Sequence, residues 1–325
     1  MIVNYKDISG ELRKIKDKGK YFELYPTGLQ ATDNIFQGVK GFPLFIGGQV
    51  HHGKSEFTLE LAVSWAKFQG FKFAVYLGEA GKPEISWIEI AQKYIGKLYF
   101  DFSEGDLIEA GQFIEKHFTI LHIEDLTVKG FYEEVGNAET EKGFKFDATI
   151  FDPFNDAKNG TAEHGGRTDI WLEEDLKLIR KVSAKHNRID IVVFHVQEIK
   201  PIKDVDSGNW FVRNAMPTEW AGGQVVHRRA FTQLLIYRIP EWMKDENGQP
   251  YGNNMTMVIN QKAKPKGSGK LGKAIIGWDW QRNRYFEEIN GTRKYMLDKA
   301  SNQIAPSKTF EVDFNNVFLS DDQPF

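Results

Sequence analysis

Gly48-Gln49-Val50-His51-His52-Gly53-Lys54-Ser55 is the stretch that decides how this chain is read. It matches G-x-x-x-x-G-K-[ST], a pattern that wraps backbone around phosphate. Glycines let the chain curl so that successive N–H groups aim at phosphate oxygens. Lys54 adds a positive charge near the outer phosphates, and Ser55 offers a hydroxyl to Mg²⁺. The apolar run 43–48 (PLFIGG) precedes the loop and reads as a buried strand. Residues 55–69 follow as a helix, with Phe57, Leu61, Trp65 and Phe68 on one stripe. Strand, loop and helix are the context this pattern requires, and the helix start adds its dipole. The loop is therefore expected to hold ATP and Mg²⁺, with Glu56 at its exit counted in the site.

Reading outward, strands and helices alternate. FKFAVYLG (71–78) is a strand, a helix follows near 83–95, and TILHIE (119–124) and ATIF (148–151) are further strands. Residues 169–186 form an amphipathic helix with Leu172, Leu176, Ile179 and Val182 inward, and IDIVVFHV (189–196) is the next strand. FTQLLIY (231–237), MTMVIN (255–260) and KAIIGWDW (273–280) are late strands joined by short turns. The alternation predicts an α/β fold: a mostly parallel sheet, helices on both faces, and late strands added antiparallel.

In such a sheet the carboxyl ends of the parallel strands gather at one edge, where ligands bind. Asp152 ends the strand ATIF and suits a carboxylate that holds Mg²⁺. Glu79 follows FKFAVYLG directly and can face the last phosphate as the base that orients water. His195, near the end of IDIVVFHV, can sense that phosphate, with Gln197 as the competing candidate. The remaining histidines show no spacing that suits a metal.

Bulk properties set the outer limits. The chain has 325 residues, 41% hydrophobic, enough for one large domain with appendages. Its net charge is -3, so any nucleic-acid contact is a local patch and not a global basic field. There is no cysteine, which excludes disulfides and cysteine-ligated zinc within it. The charged start has no apolar leader core and no run of about 18 apolar residues occurs, so a cytoplasmic protein is expected. Residues 1–26 read as an arm with one amphipathic helix, Ile8, Leu12 and Ile15 recurring at helical spacing. Too short to fold alone, that helix must dock on its own core or on a neighbouring subunit. The core is expected over 27–290 and a polar tail over 291–325.

The ordered set of motifs resembles the helicase domain of DnaB-type replicative hexamers, bacteriophage helicases included. TGLQATDNIFQG (27–38) is similar to that family's opening T-G-x-x-x-L-D-x-x-x-G-G, and the resemblance covers about 26–288. It implies a RecA-like P-loop NTPase core that acts on single-stranded DNA. Lys54, Ser55 and Asp152 would bind MgATP, Glu79 would be the base, and His195 occupies a sensor position that is His or Gln. Arg238 would pack near the nucleotide base. Glycine-rich loops at 156–168 and 200–224 would face DNA, with Arg167, Lys200, Lys203 and Arg213 available, although each is equally a solvated surface charge. The family's K-x-R pair, which reaches into a neighbour's ATP site, is Lys262-Ala263-Lys264 here. Lysine lacks the planar fork of arginine, which puts strong ATPase activity in doubt. The 1–26 arm resembles the linker helix that grips the adjacent subunit of a hexameric ring.

The chain closes on Asp321-Asp322-Gln323-Pro324-Phe325, similar to the tip of single-strand-binding proteins. A terminal Phe suits an apolar pocket and its carboxylate a basic side chain, so a replication partner (polymerase, primase or single-strand-binding protein) is one reading and a chance ending is the other. The leading functional expectation is an ATP-driven helicase or translocase in phage DNA replication. A RecA/RadA-like recombination ATPase and a weakly hydrolysing loader or scaffold are the alternatives.

Overall fold

The strand before the phosphate loop lies in the middle of one large sheet. The computed structural model describes residues 4–124, 126–158, 167–205, 207–245 and 247–298. In chain order the elements are α1 (Tyr5–Lys18), α2 (Gln30–Asp33), β1 (Leu44–Gly48), α3 (Lys54–Gln69), β2 (Phe73–Leu77), α4 (Pro83–Ile95), α5 (Glu104–His117) and β3 (Phe118–Ile120). Then come α6 (Val128–Lys142), β4 (Ala148–Asp152), α7 (Thr168–His186), β5 (Ile189–His195), β6 (Ile202–Lys203), β7 (Trp210–Phe211) and α8 (Gly223–Arg229). β8 (Thr232–Arg238), β9 (Met255–Lys262), β10 (Gly272–Asp279), β11 (Arg284–Ile289) and β12 (Thr292–Tyr295) complete them.

Among the described residues ten strands form one sheet in the order β12-β11-β10-β9-β8-β1-β5-β4-β2-β3. From β8 to β3 all neighbours are parallel, and from β8 to β12 all are antiparallel. This is the mixed sheet expected from the alternation. β1 is buried along its whole length, as an apolar strand covered on both faces must be.

Helices cover both faces. On one, Leu44, Ile46, Val75 and Ile191 pack with α3, α4 and α5 through Phe57, Leu61, Ile90 and Phe113. On the other, Phe45, Phe151, Val192 and Phe194 pack with α6, α7 and α8 through Phe131, Leu176, Ile179 and Val226. The period of two along each strand sends alternate side chains to opposite layers. Each of these fully buried large apolar side chains contributes about 1.5–3 kcal/mol.

Three expectations need correction. The strand expected over 119–124 is only β3, because its ladder with β2 ends at Ile120. The sheet does not stop near residue 290, since β12 pairs with β11 and Met296 and Leu297 are in the core. The expected core helices also gain α5 and α6, two helices of 14 and 15 residues. α1 forms as expected and has no buried residue. The strip after it is anchored: Tyr25 bridges Gly38, and the Phe22 and Phe42 rings meet edge to face at 5.4 Å.

Candidate active site

The loop between β1 and α3 depends on its glycines and on a distant strand. Gly53 caps α3 with φ 85°, and His51 sits at φ 64°, so the chain curls through left-handed backbone as the pattern predicts. The Tyr285 hydroxyl of β11 donates to the Gly53 carbonyl at 3.1 Å. A Cβ at Gly53 would meet that hydroxyl at 2.6 Å, so glycine is required twice over. Lys54 is buried at 4% exposure, whereas Val50 at the loop's tip is exposed. The Gln49 side-chain nitrogen is buried without a hydrogen-bond partner.

Sheet register brings the predicted residues to one edge. Gly48 is level with His195 across β1 and β5, and with Ile236 across β1 and β8. Asp152 is level with Leu77, two residues before Glu79. His195 Nε2 lies 3.2 Å from Glu79 Oε1. Asp152 is buried, and neither carboxylate oxygen has a hydrogen-bond partner of normal geometry. Burial pushes its pKa up to about 6; the nearby Ser55 hydroxyl and Lys54 pull it down, while Glu79 and Asp156 raise it. An orphaned, buried carboxylate between a lysine and a serine hydroxyl is what a hydrated divalent cation would satisfy. The residues present therefore fit Mg²⁺ and a triphosphate.

On the sheet's far side of the loop, Arg238 ends β8, and its backbone N–H donates to His52 Nδ1 at 3.2 Å. Burial lowers the His52 pKa to about 4, helped by Arg238, Lys54 and His51, so His52 is the neutral acceptor this bond needs.

Two carboxylates belong to the edge that the sequence reading did not single out. A Cβ at Gly78 would run into Asp156 Oδ2, so Asp156 lies directly over the turn that carries Glu79. Burial and then Glu79 raise its pKa. On α4, burial pushes Glu89 up to about 7, with Glu56, Asp152 and Glu79 adding to the shift. One turn on, the fully buried Lys93 pairs with Glu56, bonds the Asn283 carbonyl and side-chain oxygens at 3.0 Å each, and sits 4.1 Å from the Trp278 ring centre. The i, i+4 spacing of Glu89 and Lys93 on the predicted 83–95 helix was the available signal.

Lys264 is not brought to this edge. β9 runs antiparallel for eight residues and carries the chain to the opposite edge, where the Lys264 carbonyl accepts from Thr232 at the start of β8. At about 3.3 Å per residue, the length of β8 from Thr232 to Arg238 puts it roughly 20 Å from the loop's edge of the sheet. Lys262 turns inward and bonds the His227 and Arg228 carbonyls.

The basic loop residues separate. Lys200 and Lys203 are exposed, Lys203 on the β6–β7 hairpin beside Trp210, which is 67% exposed. Arg167 pairs with Asp169 at 2.8 Å at the start of α7. Arg213 is held by both Glu219 oxygens, at 2.5 and 2.7 Å, and is not the free cation the sequence suggested. Asp321, Asp322, Pro324 and Phe325 lie outside the described residues, as do 159–166 of the first loop.

Solved structures share this fold. A DnaB-like replicative helicase, solved in a study of its interactions with primase, matches with TM-score 0.64 at 14% identity, over 88% of this chain and 67% of its own. A second solved structure, an ATPase domain, matches with TM-score 0.65 at 14% identity, over 88% of this chain and 99% of its own. This is the RecA-like P-loop NTPase fold. RadB recombinase matches the RecA-like core less closely, with TM-score 0.51 at 15% identity, over 79% of this chain and 96% of its own. The sequence matches no family profile and no curated protein. Among the described residues of this RecA-like chain, no helix is long and apolar enough to cross a membrane.

Proposed function

We propose that this chain is an ATPase that couples hydrolysis to movement along single-stranded DNA. The observation that carries the reading is the gathering of Asp152, Glu79 and His195 at the strand tips around Lys54 and Ser55. In this reading Lys54 and the loop N–H groups from Gly48 to Ser55 hold the triphosphate, and Ser55 and Asp152 hold Mg²⁺. The cation supplies charge neutralisation for phosphoryl transfer. Glu79 takes the proton of the attacking water, and His195 hydrogen-bonds the outer phosphate. Arg238 lies against the base.

The likeness to a DnaB-like replicative helicase supports a helicase, with a replication role and phage origin as its finer form. The match that spans nearly the whole of a solved ATPase domain supports the nucleotide chemistry. Lys200 and Lys203, with Arg167 and Arg213, would take the DNA backbone. A ring of subunits is supported by α1, which has no fully buried residue in its own chain, and by Lys264, whose backbone lies at the start of β8, away from its own phosphate loop. The core would then run over 27–290 with the β12 strip added, and the acidic tail would dock a replication partner.

A recombination ATPase is the second reading. It is favoured by the RadB likeness and by Lys264, which stands where the helicase pattern has arginine. Strand displacement on forked DNA separates the two. The motor reading expects ATP-dependent unwinding with one polarity, absent in Lys54→Ala. Homologous pairing without unwinding would replace it with the recombinase, and DNA binding without turnover would leave a scaffold.

A further inference from the structure

We infer that the Arg213–Glu219 ion pair is a latch: it holds His195 against Glu79, and a phosphodiester on the hairpin opens it by taking Arg213. This rests on the reading that single-stranded DNA lies on the β6–β7 loop.

The latch is built from backbone. The Glu219 carbonyl accepts from the Gln197 N–H at 2.7 Å, Val196 bridges Trp220, and Ala221 N–H donates to the His195 carbonyl at 2.9 Å. Residues 219–221 are thus paired one for one with 195–197. That strip cannot slide alone, because the buried Trp220 ring covers Gly47, where a Cβ would meet it at 2.6 Å. Its indole N–H donates to Gln261 at 3.0 Å. Glu219 thus stands one residue from the Trp220 that packs on the strand feeding the phosphate loop, and its side chain reaches the hairpin.

The hairpin reaches Glu219 through Arg213, two residues past β7. The guanidinium grips both carboxylate oxygens, and the Met216 N–H adds a bond of 2.7 Å. Arg213 and then the Met216 N–H hold Glu219 down at about 2, so it is an anion throughout the working range. The pair forms part of the wall of an open groove of about 270 Å³ that Gln197, Lys200 and Ile202 also line. A phosphodiester presents two oxygens to the same fork that a carboxylate does. Entering beside Lys200, it competes with Glu219 for Arg213. Once Glu219 loses its partner, the strip keeps its backbone bonds and its Trp220 anchor but loses its tie to the hairpin, and His195, bonded to Ala221, turns from Glu79 and leaves it to orient the water. Arg213 and Glu219 are positioning residues here, acting through His195.

The test is ATP turnover by the full chain, with and without a deoxythymidine homopolymer. Glu219→Gln should raise turnover without DNA several-fold toward the stimulated wild-type rate. The change should lie in kcat with KM unchanged, and the stimulation ratio should shrink to match. Arg213→Lys, which keeps charge but loses the fork, should fall between. If Glu219→Gln does not fold, Arg213→Gln opens the same latch from the other side. A stimulated wild type whose variants keep its kcat and its ratio would overturn the latch and leave the DNA reading standing. A wild type that neither binds nor responds to the homopolymer would overturn the DNA reading, and the latch with it.

Discussion

Glu79 and His195 meet at 3.2 Å across the tip of β4, which lies between their strands in the sheet. They come from strands more than a hundred residues apart in the chain and are placed only by the parallel crossover. Asp152 sits at the tip between them.

Glu79→Gln keeps size and hydrogen bonding but removes the base. Binding of a fluorescent ATP analogue should match wild type, while kcat should fall by about 10² or more. Lys54→Ala should differ in kind, with binding itself lost. Turnover retained in Glu79→Gln would move the base to Asp156 or Glu89, the two other carboxylates at the edge.

Gly47 tests the wedge beside the phosphate loop. Alanine there drives a methyl group into the Trp220 ring. Overpacking of this kind costs about 1–3 kcal/mol. Thermal melting should show the loss, and Gly47→Ala combined with Trp220→Leu should recover part of it, because the smaller side chain makes room. Strictly additive losses in the double variant would mean that the two do not press on each other.

How much of this was legible depends on whether the cause is local. The phosphate loop, β1, β4 and β5 were readable because glycine spacing and unbroken apolar runs are local signals. Glu79, Asp152 and His195 followed from one rule about strand tips. β11 escaped because it carries Glu287, a carboxylate that looks exposed in sequence but is buried. It accepts the Gln30 and Ala31 N–H groups at 2.9 Å each and caps α2 from more than 250 residues away. Asp156 and Glu89 escaped for the same reason: a turn and a helix bring them to Glu79, and no periodicity records that meeting. Arg213 read as a free cation because its partner Glu219 lies on the far limb of its own loop.

Glu60 gives the fold a pH dependence of definite sign. Fully buried on α3, it accepts the Tyr285 N–H at 2.7 Å, and burial pushes its pKa up to about 8. Folded protein then keeps a proton that unfolded protein has lost, from the ordinary carboxylate range up to about 8. Stability must fall as pH rises through that window, by at most about 1.4 kcal/mol per pH unit from this group. Below the window both states are protonated and the penalty vanishes. Glu89 and Asp33 are also raised, to about 7 and about 6, so they steepen the lower part of the same slope. Glu60→Gln should flatten the fall in melting temperature from the ordinary carboxylate range up to about pH 8, with its smallest effect at the acid end. An unchanged slope would mean that Lys93, the largest opposing influence, keeps Glu60 ionised.

The N-terminal helix separates folding from assembly. Tyr5, Ile8 and Leu12 are 68%, 41% and 44% exposed along α1, and no residue of that helix is buried. A helix of 14 residues is marginal alone in water, so its apolar stripe needs a partner to be stable. The contacts that fasten the following strip, Phe22 on Phe42 and Tyr25 on Gly38, do not involve it. Deleting residues 1–18 should therefore leave the melting temperature of the core almost unchanged, within the ±0.5 kcal/mol typical of surface changes. Mass measured by light scattering with ATP analogue and magnesium should drop to a monomer. Turnover should drop with it, because the proposed ring is what brings Lys264 to a neighbour's site. Paired substitutions Ile8→Lys and Leu12→Lys should reproduce the loss of assembly without shortening the chain. An intact oligomer in both variants would place the subunit contact elsewhere on the core and leave the stripe without a role in it.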